Sequence, residues 1–124
     1  MWLSGRTGVM AAVLLMAQPG DIAADAASDA SAALCHHQGW PEAACACASD
    51  ALAAQTTATD HRLYRATGAK YLDELASGTS FADAWRLAVS SVAREAGQDA
   101  EALRIRLGHV GQAHRVLIDA CLAQ

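Results

Sequence analysis

Cysteine and histidine are the residues of this chain best suited to chemistry, and they are clustered. Cys35, His36 and His37 are adjacent, and Cys45 and Cys47 follow with one residue between them. Thiolate sulfur and imidazole nitrogen are the ligands that Zn²⁺ and Cu(I) prefer. The spacing matches no zinc finger or ribbon. A metal site made of His36, His37, Cys45 and Cys47 is therefore kept as an alternative interpretation.

An even number of cysteines also fits a disulfide framework, which is the favoured interpretation. The chain has four cysteines, Cys35, Cys45, Cys47 and Cys121, and they allow three pairings. Residues 45 and 47 of one helix would point about 200° apart around its axis, so they do not bond each other easily. A hairpin centred on Trp40 favours Cys35–Cys45 with Cys47–Cys121. The swapped pairing, Cys35–Cys47 with Cys45–Cys121, stays open.

Motifs for catalysis, cofactors and covalent haem are absent from the sequence. It contains no serine in a nucleophile elbow, no His-Glu-x-x-His pair and no two cysteines separated by two residues. We therefore expect no cofactor, and the sequence favours a binding protein over an enzyme. An internal cavity that held His114 beside an acid would favour an enzyme instead.

The most regular apolar pattern of the chain carries a histidine. Its positions follow one another at steps of four and three, as in a buried helical seam: Leu103, Leu107, Val110, His114, Leu117 and Cys121. The simplest interpretation of His114 is a partly buried imidazole that is hydrogen-bonded to a backbone carbonyl or an acid. His61 and His109, by contrast, are expected to be exposed.

A second interpretation places a pocket beside His114. Gly108 and Gly111 precede it in the same helix, and the arginines Arg104 and Arg115 share the glycine face at helical spacing. An anion or an acidic side chain of a partner could bind there, although Arg115 could instead pair with Asp119 one turn further on. The glycines predict either close approach by another helix or a kink.

Periodicity and capping residues predict four or five helices and no strand. The first covers about residues 28–37, and Pro41 suits the first position of a second that ends near residue 55. Thr59 or Asp60 would cap a third helix to about residue 76. Ser80 and Asp99 would cap the last two, which end near residues 96 and 122. In the fourth helix the apolar residues Phe81, Trp85, Ala88 and Val92 line one face.

These elements predict an all-α fold, either a small bundle of four or five helices or an orthogonal helical array, stapled by two disulfides. One domain, residues 27–124, is expected. A domain of this size with so much alanine buries a small core, so we expect the disulfides to contribute strongly to its stability.

The N-terminus has the features of a cleaved signal peptide. Arg6 precedes a short apolar stretch over residues 9–17, Pro19-Gly20 interrupts it, and Ala24-Asp25-Ala26 resembles a signal peptidase site. We predict cleavage after Ala26 and export to the periplasm or the medium. Alanine-rich usage with a single lysine is typical of a high-GC bacterial genome.

Charge argues against nucleic acid as a partner. The formal net charge is −4, with nine basic and 13 acidic side chains, whereas nucleic-acid-binding surfaces need clustered Lys and Arg. All three methionines lie before residue 27, so the mature chain has no thioether for copper or haem. No membrane insertion is expected once the signal peptide has been removed.

The sequence thus favours a small exported, non-enzymatic protein-interaction module whose partner is another envelope or secreted protein. Candidate interaction or pocket residues are Trp40, Trp85, His114 and Arg115. The alternative is a periplasmic metal or small-ligand binder that uses histidine and cysteine. Partner identity and oligomeric state do not follow from the sequence.

Overall fold

The structure is a computed structural model that describes residues 30–124, and this part of the chain is helical without strands. The described part of helix α1 covers residues 30–37, and it is followed by α2 (Glu42–Gln55), α3 (Ala58–Ala76), α4 (Phe81–Ala96) and α5 (Ala100–Leu122). The prediction of an all-α fold with two disulfides is confirmed. The predicted signal peptide and the first residues predicted for α1 lie outside the described residues.

The caps of α4 and α5 are those that the sequence predicts. The side chain of Ser80 accepts a hydrogen bond from the backbone N–H of Asp83 at 3.4 Å, and Asp99 accepts from that of Ala102 at 2.8 Å. Each side chain satisfies an N–H group that has no partner within the first helical turn. Gly97 ends α4 in the left-handed conformation, with φ of +64°, which costs glycine little.

Two helix starts differ by a few residues from the prediction. Helix α3 is capped by Thr57, whose hydroxyl accepts from the N–H of Asp60 at 3.1 Å, and not by Thr59 or Asp60. Thr57 and Asp60 have the same spacing of hydroxyl residue and acid as Ser80 and Asp83. This spacing is typical of a helix N-cap, and Thr57 is the residue that caps α3. Pro41 has an extended backbone, with ψ of 143°, and therefore precedes α2 as its N-cap.

Helices α3 and α4 form one antiparallel hairpin, and α2 packs against α5, which also contacts α3 and α4. Lys70 links the hairpin by donating to Ser91 at 2.8 Å. Alanines on the inner side of α4 let it approach its neighbours closely. The main apolar core lies among α1 to α5 and consists of these buried residues: Leu34, Leu52, Leu63, Tyr64, Val89, Val92, Ala93, Leu103, Leu107 and Val110.

The disulfides tie the ends of the domain together. Cys35 bonds Cys45, and Cys47 bonds Cys121, which is the favoured pairing of the sequence prediction. The first bridge is buried in a smaller apolar cluster with Ile118, against which Trp40 packs. The second joins α2 to the last turn of α5 across 74 residues of sequence, and in the chain-entropy model such a long loop stabilises by about 4 kcal/mol.

Helix α1 crosses α3 at a glycine. A Cβ atom at Gly68 would lie 2.6 Å from Cδ1 of Leu34, so only glycine allows the buried leucine to lie there. This contact and the Cys35–Cys45 bridge hold α1 against α3 and α2. Within residues 30–124, no helix combines the length and the apolar character needed to cross a bilayer.

Candidate functional site

A groove with a volume of about 390 Å³ opens between α1, α3, α4 and α5. Every one of these helices contributes at least one apolar or aromatic side chain to it. Such a mostly apolar concavity with few polar groups is the common form of a ligand or peptide site. Its lining consists of Leu34, Cys35, Gln38, Tyr64, Tyr71, Phe81, Trp85, Leu107, Gly108, Gly111, His114, Arg115 and Ile118.

Aromatic side chains of α3 and α4 form one side of the groove. Phe81 is 68% exposed, and Trp85, one turn further along α4, is half-buried. The Trp85 ring meets Tyr71 edge to face, with 5.6 Å between the ring centroids, an arrangement that aromatic quadrupoles favour. Phe81 and Trp85 thus present a rigid aromatic surface to solvent.

Phe81 shares a predicted apolar face of α4 with Ala88 and Val92, but unlike them it is exposed. The buried side of α4 is formed by Ala84, Ala88, Val89, Val92 and Ala93, so the inner face is rotated away from Phe81. Small alanines bring the helix against the core and leave the larger aromatics at the edge of the contact. That rotation places Phe81 on the groove.

Glycines of α5 form an open stretch of the groove. The predicted close approach of another helix at Gly108 and Gly111 is not seen, and α5 is assigned as one helix from Ala100 to Leu122. A Cβ atom at Gly108 would have no neighbour within 4 Å, and one at Gly111 would only touch the Tyr64 ring at 4.0 Å. Their missing side chains therefore leave space in the groove.

His114 lies in the groove wall and is only 3% exposed. Its Nδ1 is 2.8 Å from the hydroxyl oxygen of Tyr64, a partner different from the carbonyl or acid that the sequence suggests. Burial lowers the pKa of His114, with a smaller contribution from nearby His61, and burial raises the pKa of Tyr64. Both groups are therefore neutral near pH 7, and the tautomer of the ring decides whether the Tyr64 hydroxyl donates to Nδ1 or Nδ1–H donates to the hydroxyl oxygen. Nε2 has no hydrogen-bond partner among the described residues.

A second histidine is buried near the first. His61 is 9% exposed, so the expectation that it is exposed is wrong. Burial lowers the pKa of His61, and the Arg65 guanidinium lowers it further. The spacing of His61 to Tyr64 and of Tyr64 to Gly68 continues the apolar stripe of α3 by one turn, and this signal could have identified it.

Arg115 is exposed and lines the groove next to His114. It makes no ion pair with the described residues, and the alternative pairing with Asp119 is not formed. Arg104, on the other hand, does not line the groove and pairs with Glu101 at 2.6 Å. Of the two arginines predicted to share the glycine face of α5, Arg115 lines the groove and Arg104 does not.

The remaining candidates lie elsewhere. Trp40 is half-buried against the cluster around Cys35–Cys45 and is not among the groove residues, and His36 and His37 are exposed at the end of α1. All four cysteines are in disulfides, so their sulfurs are not metal ligands in this oxidised form. Within the described part of the chain, no three His, Cys, Asp or Glu side chains are grouped to hold a metal ion.

Comparisons with protein-family models, curated proteins and solved structures found no match to this chain. The functional argument therefore depends on the groove itself. The structure brings Trp85, His114 and Arg115 together in it, and adds Phe81, Tyr71 and Gln38, which the sequence does not single out as a group.

Proposed function

We propose that this protein is an exported, non-enzymatic binding module that holds a segment of another envelope or secreted protein in its groove. The observation that carries the proposal is the exposure of Phe81 at the groove, beside the half-buried Trp85. Exposed aromatic side chains next to a concave apolar surface are typical anchors of protein interfaces. A groove between helices is also a common receptor for peptide segments.

Two observations support export. The apolar stretch and small residues before residue 27 resemble a signal peptide. Both disulfides fit an oxidising compartment such as a bacterial periplasm. The mass of the protein recovered from the envelope fraction of an exporting host tests this part: we expect a chain that begins at Ala27, and an intact chain retained in the cytoplasm would contradict it.

The absence of acid near His114 supports binding over catalysis. The imidazole is paired with a phenol, and none of the residues that line the groove is Asp or Glu. General acid–base catalysis by histidine needs a reacting group within hydrogen-bond reach of a ring nitrogen, and both ring nitrogens of His114 are buried. Because His114 is 3% exposed, we assign its ring a structural role in the wall of the groove.

Site-specific photo-crosslinking tests the role of the groove. A photoreactive phenylalanine at position 81 would be compared with the same residue at position 116, since Val116 is 66% exposed and does not line the groove. We expect a discrete adduct with an exported protein from position 81 and none from position 116. Equal labelling from both positions would contradict the proposal.

A small-ligand binder is the second candidate function. The groove volume of about 390 Å³ lies within the range of small-molecule sites, about 300–1,000 Å³. Native mass spectrometry of the protein purified from the exporting host separates the two candidates. A small molecule of defined mass that is lost from Phe81→Asp would favour the second.

A further inference from the structure

We propose that the groove recognises an acidic apolar segment of the partner protein, in which a carboxylate next to an aliphatic or aromatic side chain pairs with Arg115. This inference depends on the proposed function of the groove and specifies the chemistry of its occupant. Three features of the groove support it: the charge of Arg115, the open space beside that residue, and the lack of Asp or Glu among the lining residues.

The charge of the groove is positive and unbalanced. Two ionisable bases line it, Arg115 and His114. His114 is buried and neutral near pH 7, so Arg115 is the only charged residue among those that line the groove. Three other arginines of the described chain pair with carboxylates: Arg86 with Asp83, Arg104 with Glu101 and Arg106 with Asp60. Arg115 does not, although Asp119 is one turn away. A partner carboxylate would complement it.

Open space for an apolar side chain lies beside this charge. Gly108, Gly111 and Arg115 follow one another at helical spacings of three and four, so they share one face of α5. A Cβ atom at Gly108 would meet no atom within 4 Å, so this face leaves open space in the groove. A leucine or phenylalanine side chain that enters there would place its neighbour in sequence within reach of the guanidinium.

The same charge argues against a second copy of this chain as the occupant. A symmetric dimer would place the same patch of both copies face to face. The groove of one copy would then supply no carboxylate to Arg115 of the other, because no Asp or Glu lines it. We therefore assign the acidic segment to a different protein.

Selection from a displayed library of random dodecapeptides tests the inference on the oxidised, processed protein. Peptides selected by the native protein should be enriched about threefold or more in Asp or Glu within two positions of Leu, Ile, Phe or Trp. Arg115→Gln should weaken their binding by about threefold to fivefold, as expected for an exposed ion pair. Arg94→Gln is the matched control, because Arg94 is exposed on α4 and does not line the groove.

A variant with the opposite charge at position 115 tests which residues the groove prefers, whatever the strength of binding. Selection with Arg115→Glu should replace the acidic preference with Lys or Arg at the same positions, while thermal stability stays that of the native protein. Peptides that bind in a Phe81-dependent manner but show no acidic enrichment, or no change with Arg115→Glu, would overturn this inference and leave the proposed function intact.

Other outcomes of the same experiments would contradict the proposed function itself. If no peptide is selected, or if Phe81→Asp leaves binding unchanged, the groove is not the binding surface. Native mass spectrometry detects the other possible occupants. A dimer that Phe81→Asp dissociates would assign the groove to a second copy of the chain. A bound small molecule that Phe81→Asp releases would assign the groove to a small ligand. Either result would overturn the acidic-segment proposal.

Discussion

Tyr64 and His114 are hydrogen-bonded at 2.8 Å and join the middle of α3 to the middle of α5. Their rings are also in contact edge to face, with centroids 5.6 Å apart. Because both side chains are buried and line the groove, the pair connects the stability of the domain with the shape of its candidate site. The tyrosine supplies the polar partner that buried imidazole nitrogen requires.

The Tyr64→Phe variant should be less stable than the native protein by about 1–3 kcal/mol, because Nδ1 of His114 would remain buried without a hydrogen-bond partner. Urea unfolding measures the difference. In a double-mutant cycle with His114→Leu, which removes the unsatisfied nitrogen as well, the second substitution should cost less in the Tyr64→Phe background than in the native protein. Additive effects would show that the hydrogen bond contributes nothing.

Stability should fall on mild acidification. Burial lowers the pKa of both His61 and His114 in the folded protein, whereas histidines of the unfolded chain titrate near pH 6.5. Below that pH the unfolded state binds more protons, so the free energy of unfolding is highest above about pH 6.5 and decreases as the pH falls toward the folded-state values. Urea midpoints at pH 7.5 and pH 5.5 measure this change. His61→Gln/His114→Gln should reduce the slope, and His109→Gln, at an exposed position, should not.

Alanine should have opposite effects at two helical glycines. Gly108→Ala meets no atom within 4 Å and should stabilise the protein by about 1 kcal/mol through helix propensity. Gly68→Ala would push its Cβ to 2.6 Å from Leu34, and the overpacking should destabilise by about 1–3 kcal/mol. Thermal unfolding measures both. In the background of Leu34→Ala, Gly68→Ala should no longer destabilise; a persistent loss would locate its cause elsewhere.

The two disulfides should leave no titratable thiol in the protein purified from an exporting host and denatured without reductant. Removal of the bridge between α2 and α5 by Cys47→Ala/Cys121→Ala should lower the free energy of unfolding by about 4 kcal/mol, because the bridge spans 74 residues. Two or four free thiols would contradict this framework and return the cysteines to consideration as metal or redox ligands.

Much of the fold could be predicted from local signals. Ser80, Gly97 and Asp99 mark helix ends through capping and backbone geometry, which depend on a few adjacent residues. The symmetry of a short hairpin about Trp40 favours the observed disulfide pairing but leaves the swapped pairing open. Thr57 was missed because two later residues, Thr59 and Asp60, could also serve as caps, and local chemistry does not rank them.

The groove could be predicted only in part. Gly108, Gly111, His114 and Arg115 share one helix, so their spacing indicates a common pocket. The contribution of Phe81 and Tyr71 depends on how α4 is rotated by packing of its alanines against the core, and that rotation is a tertiary effect. His61 is buried against expectation, although its spacing to Tyr64 continues the buried stripe of α3.

Blocking the groove tests the central claim most directly. Gly108→Leu places a side chain in open groove space, and Gln112→Leu adds the same side chain to an exposed position of α5 outside the groove. The measurement is the yield of the adduct from a photoreactive residue at position 81, for variants whose thermal stability has been matched. We predict that Gly108→Leu abolishes the adduct and Gln112→Leu retains it. An undiminished adduct in Gly108→Leu would contradict the assignment of the groove as the binding surface.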